Sequence, residues 1–433
     1  MNILFVHQNF PAQFRNIANA LSRAANVKMA AIGCDTARSV VGVSLYRYPA
    51  PAHYIPSHSF SRRFDGECRR AEEVLYAATR IADDGFIPDL ILVHPGWGES
   101  LPLRALFPNA KIVVYCEYYY TAKGGDVGFD PEVPPLGVDG YVALNAKNAS
   151  MLLALASCDA ALAPTHWQKS TFPRDFQHKI EVVHEGIDTD FFAPDPEAVL
   201  RLPGSLPLTA ADELLTFSAR SLEPIRGFHC FMRALPRVLE ARPQARVLIA
   251  GGDGVSYGAP PRKHPSWKAM LLEELRGQID ESRVLFLGRL PYADYLCMLQ
   301  VSTAHVYLTY PFALSWSLLE AMSVGCLVVG SNTPPVREII DGANGVLAPM
   351  FDLPALAETI VDALASPEAN AEQRIRSRQT ILENYDAHTV CTPKLVNWIG
   401  GLTGEMIKYD AAPSELESGG PWLSEVGSTP TFG

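Results

Sequence analysis

The sequence has little of several features that identify particular classes of protein. Charged residues make up only 19% of its 433 positions, and no apolar run approaches the roughly 20 residues that a transmembrane helix needs. Lys and Arg number 36 against 47 Asp and Glu, so the formal net charge is −11 and there is no excess of positive charge to bind a nucleic-acid backbone. We therefore expect a globular chain with no nucleic-acid partner and, at most, peripheral contact with a membrane.

The cysteines and the start of the chain point to a reducing compartment. The eight cysteines are scattered, with no Cys-x-x-Cys pair and no spacing typical of a metal site. The chain begins with Met1-Asn2 and runs directly into the apolar segment Ile3–Val6, without a basic leader or a small-residue cleavage site. These features predict reduced thiols and a cytoplasmic location.

Three ligand-binding motifs are also missing. Neither half of the chain starts with Gly-x-Gly-x-x-Gly, and Gly-x-x-x-x-Gly-Lys-[Ser/Thr] does not occur, which removes the main support for dinucleotide-dependent redox and P-loop chemistry. No Asp-x-Asp pair stands at a strand end with further ligands nearby. We therefore expect no metal site and no cofactor.

The first 190 residues alternate short apolar or β-branched runs with longer amphipathic stretches. This alternation is typical of parallel strands joined by crossover helices and predicts one doubly wound α/β domain over residues 1–195. Helices are predicted over Phe14–Ala25, Arg62–Asp84 and Ala146–Cys158. The predicted strands are Asn2–His7, Val27–Gly33, Val43–Tyr48, Leu90–Pro95, Lys111–Glu117, Ala160–Pro164 and Ile180–His184.

The alternation restarts after a stretch rich in Pro, Leu and acidic residues, which we interpret as a linker over residues 196–213. A second Rossmann-like domain is predicted over residues 214–387, a helix returning to the first domain over 388–408, and a flexible tail over 409–433. The predicted strands are Leu214–Arg220, Arg246–Gly251, Arg283–Leu287, Ala304–Thr309, Cys326–Gly330 and Gly345–Leu347. The predicted helices are Phe228–Ala241, Trp267–Gly277, Tyr292–Gln300, Trp316–Ser323, Pro335–Asp341, Leu353–Ser366 and Thr389–Gly400.

The strongest local signal is a strand, turn and helix that begin at residues 310–317, Tyr-Pro-Phe-Ala-Leu-Ser-Trp-Ser. Backbone N–H groups open the helix there, and the positive end of its dipole favours a phosphate. Glu320 lies one turn into the helix, where its carboxylate can accept hydrogen bonds from ribose hydroxyls. Ser317-x-x-Glu320 also fits a capping box, so both interpretations stay open on this segment alone.

A second signal flanks the first turn of the second domain. Arg220 ends a predicted strand and Arg226 stands just before the next helix, so both side chains can reach one region and clamp a diphosphate. The alternative is that one of them merely pairs with Glu223 on the surface. Two arginines around a single turn favour the ligand-binding interpretation.

The order of these motifs resembles that of the retaining glycosyltransferases of family 4, which have the GT-B fold. The resemblance spans nearly the whole chain and implies an α/β protein in which two Rossmann-like doubly wound domains face each other across a cleft. It also implies metal-independent transfer of a sugar from a nucleotide-diphosphate sugar. Further matching segments are His184-Glu185-Gly186-Ile187-Asp188, Gly251-Gly252-Asp253-Gly254, Phe286-Leu287-Gly288-Arg289-Leu290, Leu319-Glu320-Ala321-Met322 with Gly325, Pro335-x-x-Glu338 and Gly342-x-x-Gly345.

The resemblance implies that the donor binds to the second domain. Arg220 and Arg226 would hold the diphosphate and stabilise charge there during reaction, which makes them predicted catalytic residues; Arg226 stands where the family more often has lysine. Glu320 would bind the ribose, and the backbone around Gly288–Leu290 would frame the nucleobase. The predicted donor-binding residues are Arg220, Arg226, Arg289, Leu290, Phe312, Ala313, Leu314, Ser315, Trp316, Ser317 and Glu320.

One position departs from the family pattern. The family motif has two glutamates separated by seven residues; Glu320 matches the second, but Phe312 occupies the first position. In the family that first glutamate contacts sugar hydroxyls. The phenylalanine therefore predicts a less polar or differently oriented donor sugar, while the phosphate and ribose contacts remain.

Strand ends of the first domain supply candidates for the acceptor site. His94 lies in a Gly-rich turn and resembles the family's active-site histidine, which supports the sugar near its reactive carbon and is the third predicted catalytic residue. A lone histidine is more often structural, but the end of a central strand favours a functional role. Aromatic rings beside carboxylates follow the next strand and suit a sugar, although a half-buried strand end explains them equally well. The predicted acceptor-binding residues are Phe10, Gln13, Trp97, Glu99, Glu117, Tyr118 and Asp126, with His53 and His58 on the same rim.

Three function classes follow from the sequence. The favoured one is a glycosyltransferase that moves a sugar, expected to be a hexose, to a small-molecule, glycan or lipid-linked acceptor. A nucleotide-sugar epimerase of the same architecture and a non-catalytic sugar-nucleotide or glycan-binding protein are the alternatives. A hydrolase with two carboxylates is the least firmly excluded of the other classes, because Glu99 and Glu117 end adjacent predicted strands.

Overall fold

The computed structural model describes residues 1–50, 58–204 and 206–409. The chain divides into two units, the first formed by Met1–Gly186 together with the segment that begins at Ala387, and the second by Ile187–Asp386. Each unit contains one parallel sheet with helices on both faces. The predicted fold class of two Rossmann-like domains is confirmed. His53 and residues 410–433 of the predicted tail lie outside the described residues.

The sheet of the first unit has the order β3-β2-β1-β4-β5-β6-β7. Its central strands are apolar along their whole length because both faces are covered, and Ile3 to Val6 of β1 are fully buried. The strands are β1 (Asn2–Val6), β2 (Lys28–Cys34), β3 (Val43–Tyr48), β4 (Leu90–Val93), β5 (Lys111–Tyr115), β6 (Ala160–Ala163) and β7 (Ile180–Val182). The helices are α1 (Arg15–Leu21), α2 (Arg62–Asp83), α3 (Leu103–Leu106), α4 (Val138–Lys147), α5 (Ala149–Ser157), α6 (His166–Thr171) and α7 (Arg174–Gln177), with a 3₁₀ turn at Ala12–Phe14.

The sheet of the second unit has the order β10-β9-β8-β11-β12-β13. Its strands are β8 (Leu214–Ser221), β9 (Arg246–Gly252), β10 (Val284–Gly288), β11 (Ala304–Tyr307), β12 (Val328–Ser331) and β13 (Val346–Ala348). Its helices are α8 (Phe228–Ala241), α9 (Trp267–Glu274), α10 (Tyr292–Gln300), α11 (Trp316–Ser323), α12 (Pro334–Arg337), α13 (Leu353–Ala365) and α14 (Ala371–Asn384), with 3₁₀ turns at Pro224–Arg226 and Glu281–Arg283. The sequence analysis did not predict α14, because this helix has few apolar residues.

The end of the described chain belongs to the first unit. A π-helical turn at Ala387–Cys391 leads into α15 (Thr392–Thr403), where Val396 and Ile399 are buried. Both residues belong to the apolar cluster that also contains Ile17 and Leu21 of α1. The helix predicted to return to the first domain therefore packs there, beginning three residues later than expected.

The segment predicted as a linker is part of the second unit. The boundary between the units lies at Gly186 rather than at residue 195. Phe192, Leu200 and Leu208 are buried in the core of the second unit, and the last two are paired by an antiparallel bridge. Proline and acidic residues gave this stretch a linker-like composition, but Leu200 and Leu208 are anchored by hydrophobic burial.

The helix predicted over Ala146–Cys158 is two helices instead of one. The break lies at Asn148, whose side chain pairs with the backbone of Tyr120 in both directions. Asn148 Nδ2 donates to the Tyr120 carbonyl at 2.8 Å, and the Tyr120 N–H donates to Asn148 Oδ1 at 3.1 Å. This asparagine therefore ties the segment after β5 to the junction of α4 and α5.

Candidate functional site

The predicted donor site lies where the sheet of the second unit reverses its order. β8 and β11 are neighbours in this sheet, and ligands of open α/β sheets bind beyond the carboxyl ends of strands at such a switch point. β8 leads into the turn Pro224–Arg226, and Gly227 follows with a φ of +67°. A Cβ at Gly227 would collide with the Leu308 side chain, so this turn requires glycine.

Arg226 spans from this turn to the segment that follows β11. Its Nη1 donates to Thr309 Oγ1 at 3.0 Å and to the Ala313 carbonyl at 3.1 Å. Within the described residues these are the hydrogen bonds of its side chain. A guanidinium carries five N–H groups in a rigid fork, so the others are available to an anion.

Glu223 does not form the surface ion pair that the sequence analysis considered. Its carboxylate is buried and accepts hydrogen bonds from the backbone N–H groups of Ser256, Tyr257 and Gly258 at 3.0, 3.3 and 2.8 Å. The carboxylate thereby fixes the loop after β9. The main alternative to ligand binding by Arg220 and Arg226, a surface ion pair with Glu223, is thereby removed.

The first turn of α11 is capped by Ser315 rather than by Ser317. Ser315 Oγ accepts from the Ser317 N–H at 3.4 Å, and the Ser315 N–H donates to the Tyr307 hydroxyl at 2.9 Å. A capping box between Ser317 and Glu320 is therefore not formed. Leu314 and Trp316 are half-buried beside this helix start.

Glu320 is held by two tyrosines that the sequence analysis did not identify. The hydroxyls of Tyr292 and Tyr295, both on α10, donate to its carboxylate at 2.8 and 3.1 Å. Burial and the nearby Glu320 carboxylate raise the pKa of Tyr295 well above its ordinary value, so its hydroxyl stays protonated. These two contacts fix the orientation of the Glu320 carboxylate.

The other predicted donor residues lie around β8, β9 and β10. Arg220 and Arg289 are exposed, and a Cβ on Gly252 would come within 2.8 Å of Arg289 Nε and 3.4 Å of the Arg220 carbonyl. The lack of a side chain at Gly252 thus lets Arg289 lie beside the end of β8. Leu290, in contrast, is buried in the core, so only its backbone is placed to meet a nucleobase.

In the first unit, the switch point lies between β1 and β4, and each of these strands is followed by a histidine. The rings of His7 and His94 are both buried, with centroids 4.9 Å apart. His7 Nδ1 accepts from the Asn9 N–H at 2.9 Å, and His94 Nδ1 accepts from the Gly96 N–H at 3.2 Å. Each tight turn therefore orients the imidazole that precedes it.

Several predicted acceptor residues surround His94. Its ring stacks on Trp97 and Tyr115, with centroid distances of 4.8 and 5.5 Å and an angle of 26° in both cases. Its Nε2 lies 3.5 Å from Glu117 Oε2, and Gln13 Nε2 lies 3.5 Å from Glu117 Oε1. His94, Trp97, Glu117 and Gln13 thus meet at one strand-end site.

Three other predicted acceptor residues are buried. Phe10 is fully buried and packs 5.8 Å from the Phe5 ring. Glu99 is also fully buried, accepts from the Trp97 N–H at 3.1 Å, and has its pKa raised chiefly by burial. Tyr118 is 6% exposed. Their side chains take part in the packing and hydrogen bonding of the first unit, and their contact with an acceptor stays a prediction.

Asp126 keeps partial exposure and shares two hydrogen bonds with Tyr118. The Tyr118 hydroxyl donates to Asp126 Oδ1 at 3.1 Å and accepts from the Asp126 N–H at 3.2 Å. Burial raises the pKa of the Asp126 carboxyl, with Lys147 acting in the opposite direction. His58 is exposed near the start of α2, where its Nδ1 accepts from the Phe60 N–H at 3.2 Å.

A second polar cluster of the first unit escaped the sequence analysis. Arg63 donates from Nη2 to the Gly96 carbonyl at 2.9 Å and from Nε to Glu67 Oε1 at 2.7 Å. Lys147 holds its ammonium 3.2 Å from the centroid of the Tyr120 ring. These residues lie on segments far apart in the sequence, so no local motif signals them.

Replacing Lys147 by methionine is expected to stabilise the chain more at pH 6 than at pH 9. Burial, followed by repulsion from Arg63, lowers the pKa of the Lys147 ammonium from 10.5 to about 7. The unfolded chain keeps the proton up to about pH 10, so the cost of burying the charge is largest below pH 7 and falls as the pH rises towards 10. Thermal unfolding of both chains across this range measures the difference.

The exposed Lys123→Met variant is the control for the loss of a positive charge. It is expected to change the unfolding temperature equally at the two pH values. A Lys147→Met effect that does not vary between pH 6 and pH 9 would contradict the lowered pKa.

Two kinds of feature are absent from the described ranges. Among these residues, no group of three or more His, Cys, Asp or Glu side chains is arranged to hold a metal ion. None of the helices described is both long enough and apolar enough to cross a bilayer.

Two family models match successive parts of the chain. The model described as glycosyl transferase family 4 group matches residues 25–192, and the model described as glycosyl transferases group 1 matches residues 212–366. Together they cover about three quarters of the sequence, one match falling in each α/β unit. The chain belongs to the family 4 glycosyltransferases. The resemblance stated from the motifs is thereby confirmed.

Individual relatives of this glycosyltransferase are distant. Glycogen synthase of Mycobacterium tuberculosis is 29% identical over 230 residues, 52% of this chain and 50% of the relative, so the match spans half of that protein's length. A GDP-mannose-dependent alpha-(1-6)-phosphatidylinositol monomannoside mannosyltransferase of Mycolicibacterium smegmatis is 24% identical over 314 residues, 68% of this chain and 72% of the relative.

Solved structures confirm the GT-B fold. Sucrose-phosphate synthase from Thermosynechococcus elongatus has a TM-score of 0.73 at 18% identity, covering 93% of this chain and 99% of that chain. Anabaena HepE, solved with UDP and glucose, has a TM-score of 0.65 at 17% identity, covering 93% and 100%. At these identities the likeness concerns the fold alone.

In this glycosyltransferase, the phenylalanine at the first motif position is buried. Phe312 is 2% exposed and meets the Tyr257 ring at a centroid distance of 4.8 Å. The Arg226 guanidinium carbon lies 5.7 and 5.6 Å from the centroids of these two rings. The phenyl ring, which has no polar group, thus packs inward against Tyr257, and its contact with the donor stays a prediction.

Proposed function

We propose that this family 4 glycosyltransferase transfers a hexose from a nucleotide-diphosphate sugar to a hydroxyl acceptor, with retention of anomeric configuration and without a metal ion. The observation that carries the proposal is the placement of Arg226. Its guanidinium is fixed at the β8–β11 switch point by hydrogen bonds of 3.0 and 3.1 Å to Thr309 and Ala313. A cation held there, beside the start of α11, suits a diphosphate.

The reaction requires stabilisation of negative charge on the departing diphosphate. Preorganised cations and backbone N–H groups supply such stabilisation without rearranging during the reaction. Arg226 and Arg220 provide the cations, and the N–H groups at the start of α11 provide the dipoles. The departing phosphate oxygen then takes the proton of the acceptor hydroxyl on the same face of the sugar, so no pair of catalytic carboxylates is needed.

The first unit supplies hydrogen-bonding groups for the acceptor. Glu117 is partly exposed, and its carboxylate lies 3.5 Å from both His94 Nε2 and Gln13 Nε2. Trp97 stacks on His94 and presents an aromatic face to a sugar ring. A small-molecule, glycan or lipid-linked acceptor with a free hydroxyl fits this chemistry.

A panel of nucleotide sugars tests the proposal directly. UDP-glucose and GDP-mannose come first, because HepE was solved with UDP-glucose and one relative is named as GDP-mannose-dependent. We expect nucleotide release that depends on an added polyol or glycan acceptor and continues in EDTA. NMR of the product is expected to show the anomeric configuration of the donor.

Each alternative predicts a different result in the same assay. Isomerisation of the donor without an acceptor would indicate an epimerase, and a rise in unfolding temperature without turnover would indicate a binding protein. An inverted product would contradict retention, and complete inhibition by EDTA would contradict metal independence.

A further inference from the structure

The turn after His7 uses one of the two ring nitrogens and leaves the other without a hydrogen-bond partner among the described residues. His7 Nδ1 accepts from the Asn9 N–H at 2.9 Å, so in the neutral ring the proton lies on Nε2. His7 Nε2 is buried and has no hydrogen-bond partner among the described residues. The side chain of Gln13 is the neighbouring polar group, but it does not reach Nε2 in a standard hydrogen-bond geometry.

The ring stays neutral under ordinary conditions. Burial and the adjacent His94 lower the pKa of His7 well below 6.5, and Gln13 only partly opposes this. His7 therefore presents a permanent N–H donor rather than a titrating cation. A buried N–H donor without a partner destabilises a fold.

His94, which lies beside His7, has the same hydrogen-bonding arrangement. His94 Nδ1 accepts from the Gly96 N–H, so its Nε2 also carries the proton, and this nitrogen too is buried without a hydrogen-bond partner in the described part of the chain. The nearest acceptor is Glu117 Oε2, at 3.5 Å. Two imidazole donors and one carboxylate therefore meet at the β1–β4 switch point, where α/β sheets bind ligands.

One ligand group satisfies both N–H donors and can also donate to the carboxylate. A hydroxyl oxygen accepts two hydrogen bonds and donates one, which matches two N–H donors and a carboxylate acceptor. Given the proposed transfer reaction, we infer that His7 is a substrate-binding residue: its Nε2–H and that of His94 donate to one hydroxyl of the bound sugar or acceptor, which in turn donates to Glu117. His7 thus selects for a substrate that carries this hydroxyl.

Two substitutions separate the effect of the N–H group of His7 from the effect of its ring. His7→Phe keeps a planar ring and removes the N–H, whereas His7→Gln places an amide N–H near the position of Nε2. We expect His7→Phe, which also removes the acceptor of the Asn9 N–H, to stay folded and to raise the KM of one substrate about five- to tenfold. His7→Gln is expected to stay within about threefold of the wild type, since a single hydrogen bond to substrate contributes about 1 kcal/mol.

The KM values assign the hydroxyl to the donor sugar or to the acceptor. Deoxy analogues of the affected substrate then identify it: the analogue that lacks the bound hydroxyl is expected to be used equally well by His7→Phe and by the wild type. Direct titration of glucose, mannose and myo-inositol by saturation-transfer NMR supplies a readout that does not depend on turnover.

The outcomes distinguish this inference from the proposed function. A wild-type chain that transfers no sugar from any donor contradicts the proposed function, and polyol binding that His7→Phe weakens would still support the site. Transfer by the wild type with both KM values unchanged in His7→Phe overturns the role of His7. If His7→Phe lost stability and His7→Gln restored the unfolding temperature but not the KM, His7 would have a role in folding only. That result would also overturn the role of His7 in substrate binding.

Discussion

Replacing Arg226 by alanine is expected to lower kcat/KM for transfer by about 10²–10³-fold while the chain stays folded, the range seen when one preorganised donor to a developing anion is removed. Arg226 is fixed by Thr309 and Ala313 and keeps further N–H groups for a diphosphate. The substitution removes both the positive charge and the guanidinium fork that holds this charge in place. The effect should fall on kcat as well as on the KM of the donor, because the charge on the diphosphate grows as the bond breaks.

Arg226→Lys separates charge from geometry. Lysine keeps the positive charge but has no fork to bind Thr309, Ala313 and a phosphate together, so we expect an intermediate loss of activity. Arg276→Ala, an exposed arginine of the same unit, controls for the change in net charge. Initial rates with a saturating acceptor, together with thermal unfolding, measure the effect, and near-wild-type turnover in Arg226→Ala would refute the assignment of the diphosphate.

The sequence was sufficient to predict the regular elements. β3 at Val43–Tyr48 and α10 at Tyr292–Gln300 lie at the predicted bounds, because apolar runs and amphipathic periods are set by local burial on the sheet or helix. Errors arose where a distant segment decides the local structure. The break at Asn148 depends on its contacts with Tyr120, and Leu200 and Leu208 anchor a stretch whose composition resembles a linker.

The candidate site was predicted in part for the same reason. The strand-end rule led to the two switch points, beside which Arg226 and His94 lie, and their functional roles stay predictions. It cannot give the direction of a side chain, so Phe10 and Glu99 were placed at a rim although both are fully buried. A one-residue difference in direction after a strand end decides whether a side chain faces ligand or core.

The groups that position the predicted residues were also missed. Glu223 acts through the backbone of Tyr257, more than thirty residues away, and Glu320 is held by Tyr292 from a different helix. Such pairs leave no spacing pattern in a single sequence. The contact of Tyr257 with Phe312 follows from the fold in the same way. It explains how the enzyme tolerates a phenylalanine at a motif position that carries glutamate in the family.

The second large effect is expected at Glu320. Glu320→Ala should weaken nucleotide binding by about 10- to 100-fold, because a hydrogen bond to a charged carboxylate contributes about 1.5–3 kcal/mol. The Tyr292 and Tyr295 hydroxyls donate to the carboxylate at 2.8 and 3.1 Å and fix its orientation. Unlike the loss of Arg226, this change should raise the KM of the donor and leave kcat nearly unchanged, since the ribose carries no developing charge.

Three further variants make the assignment testable by calorimetric titration of UDP and GDP. Glu320→Gln keeps an acceptor for one tyrosine but loses the charge, so its affinity for nucleotide should fall between those of the wild type and Glu320→Ala. Tyr292→Phe should weaken binding less, because Tyr295 still orients the carboxylate. Glu368→Gln, at an exposed position of the same unit, should bind like the wild type. If Glu320→Ala bound both nucleotides with unchanged Kd, the carboxylate would serve only to join α10 to α11.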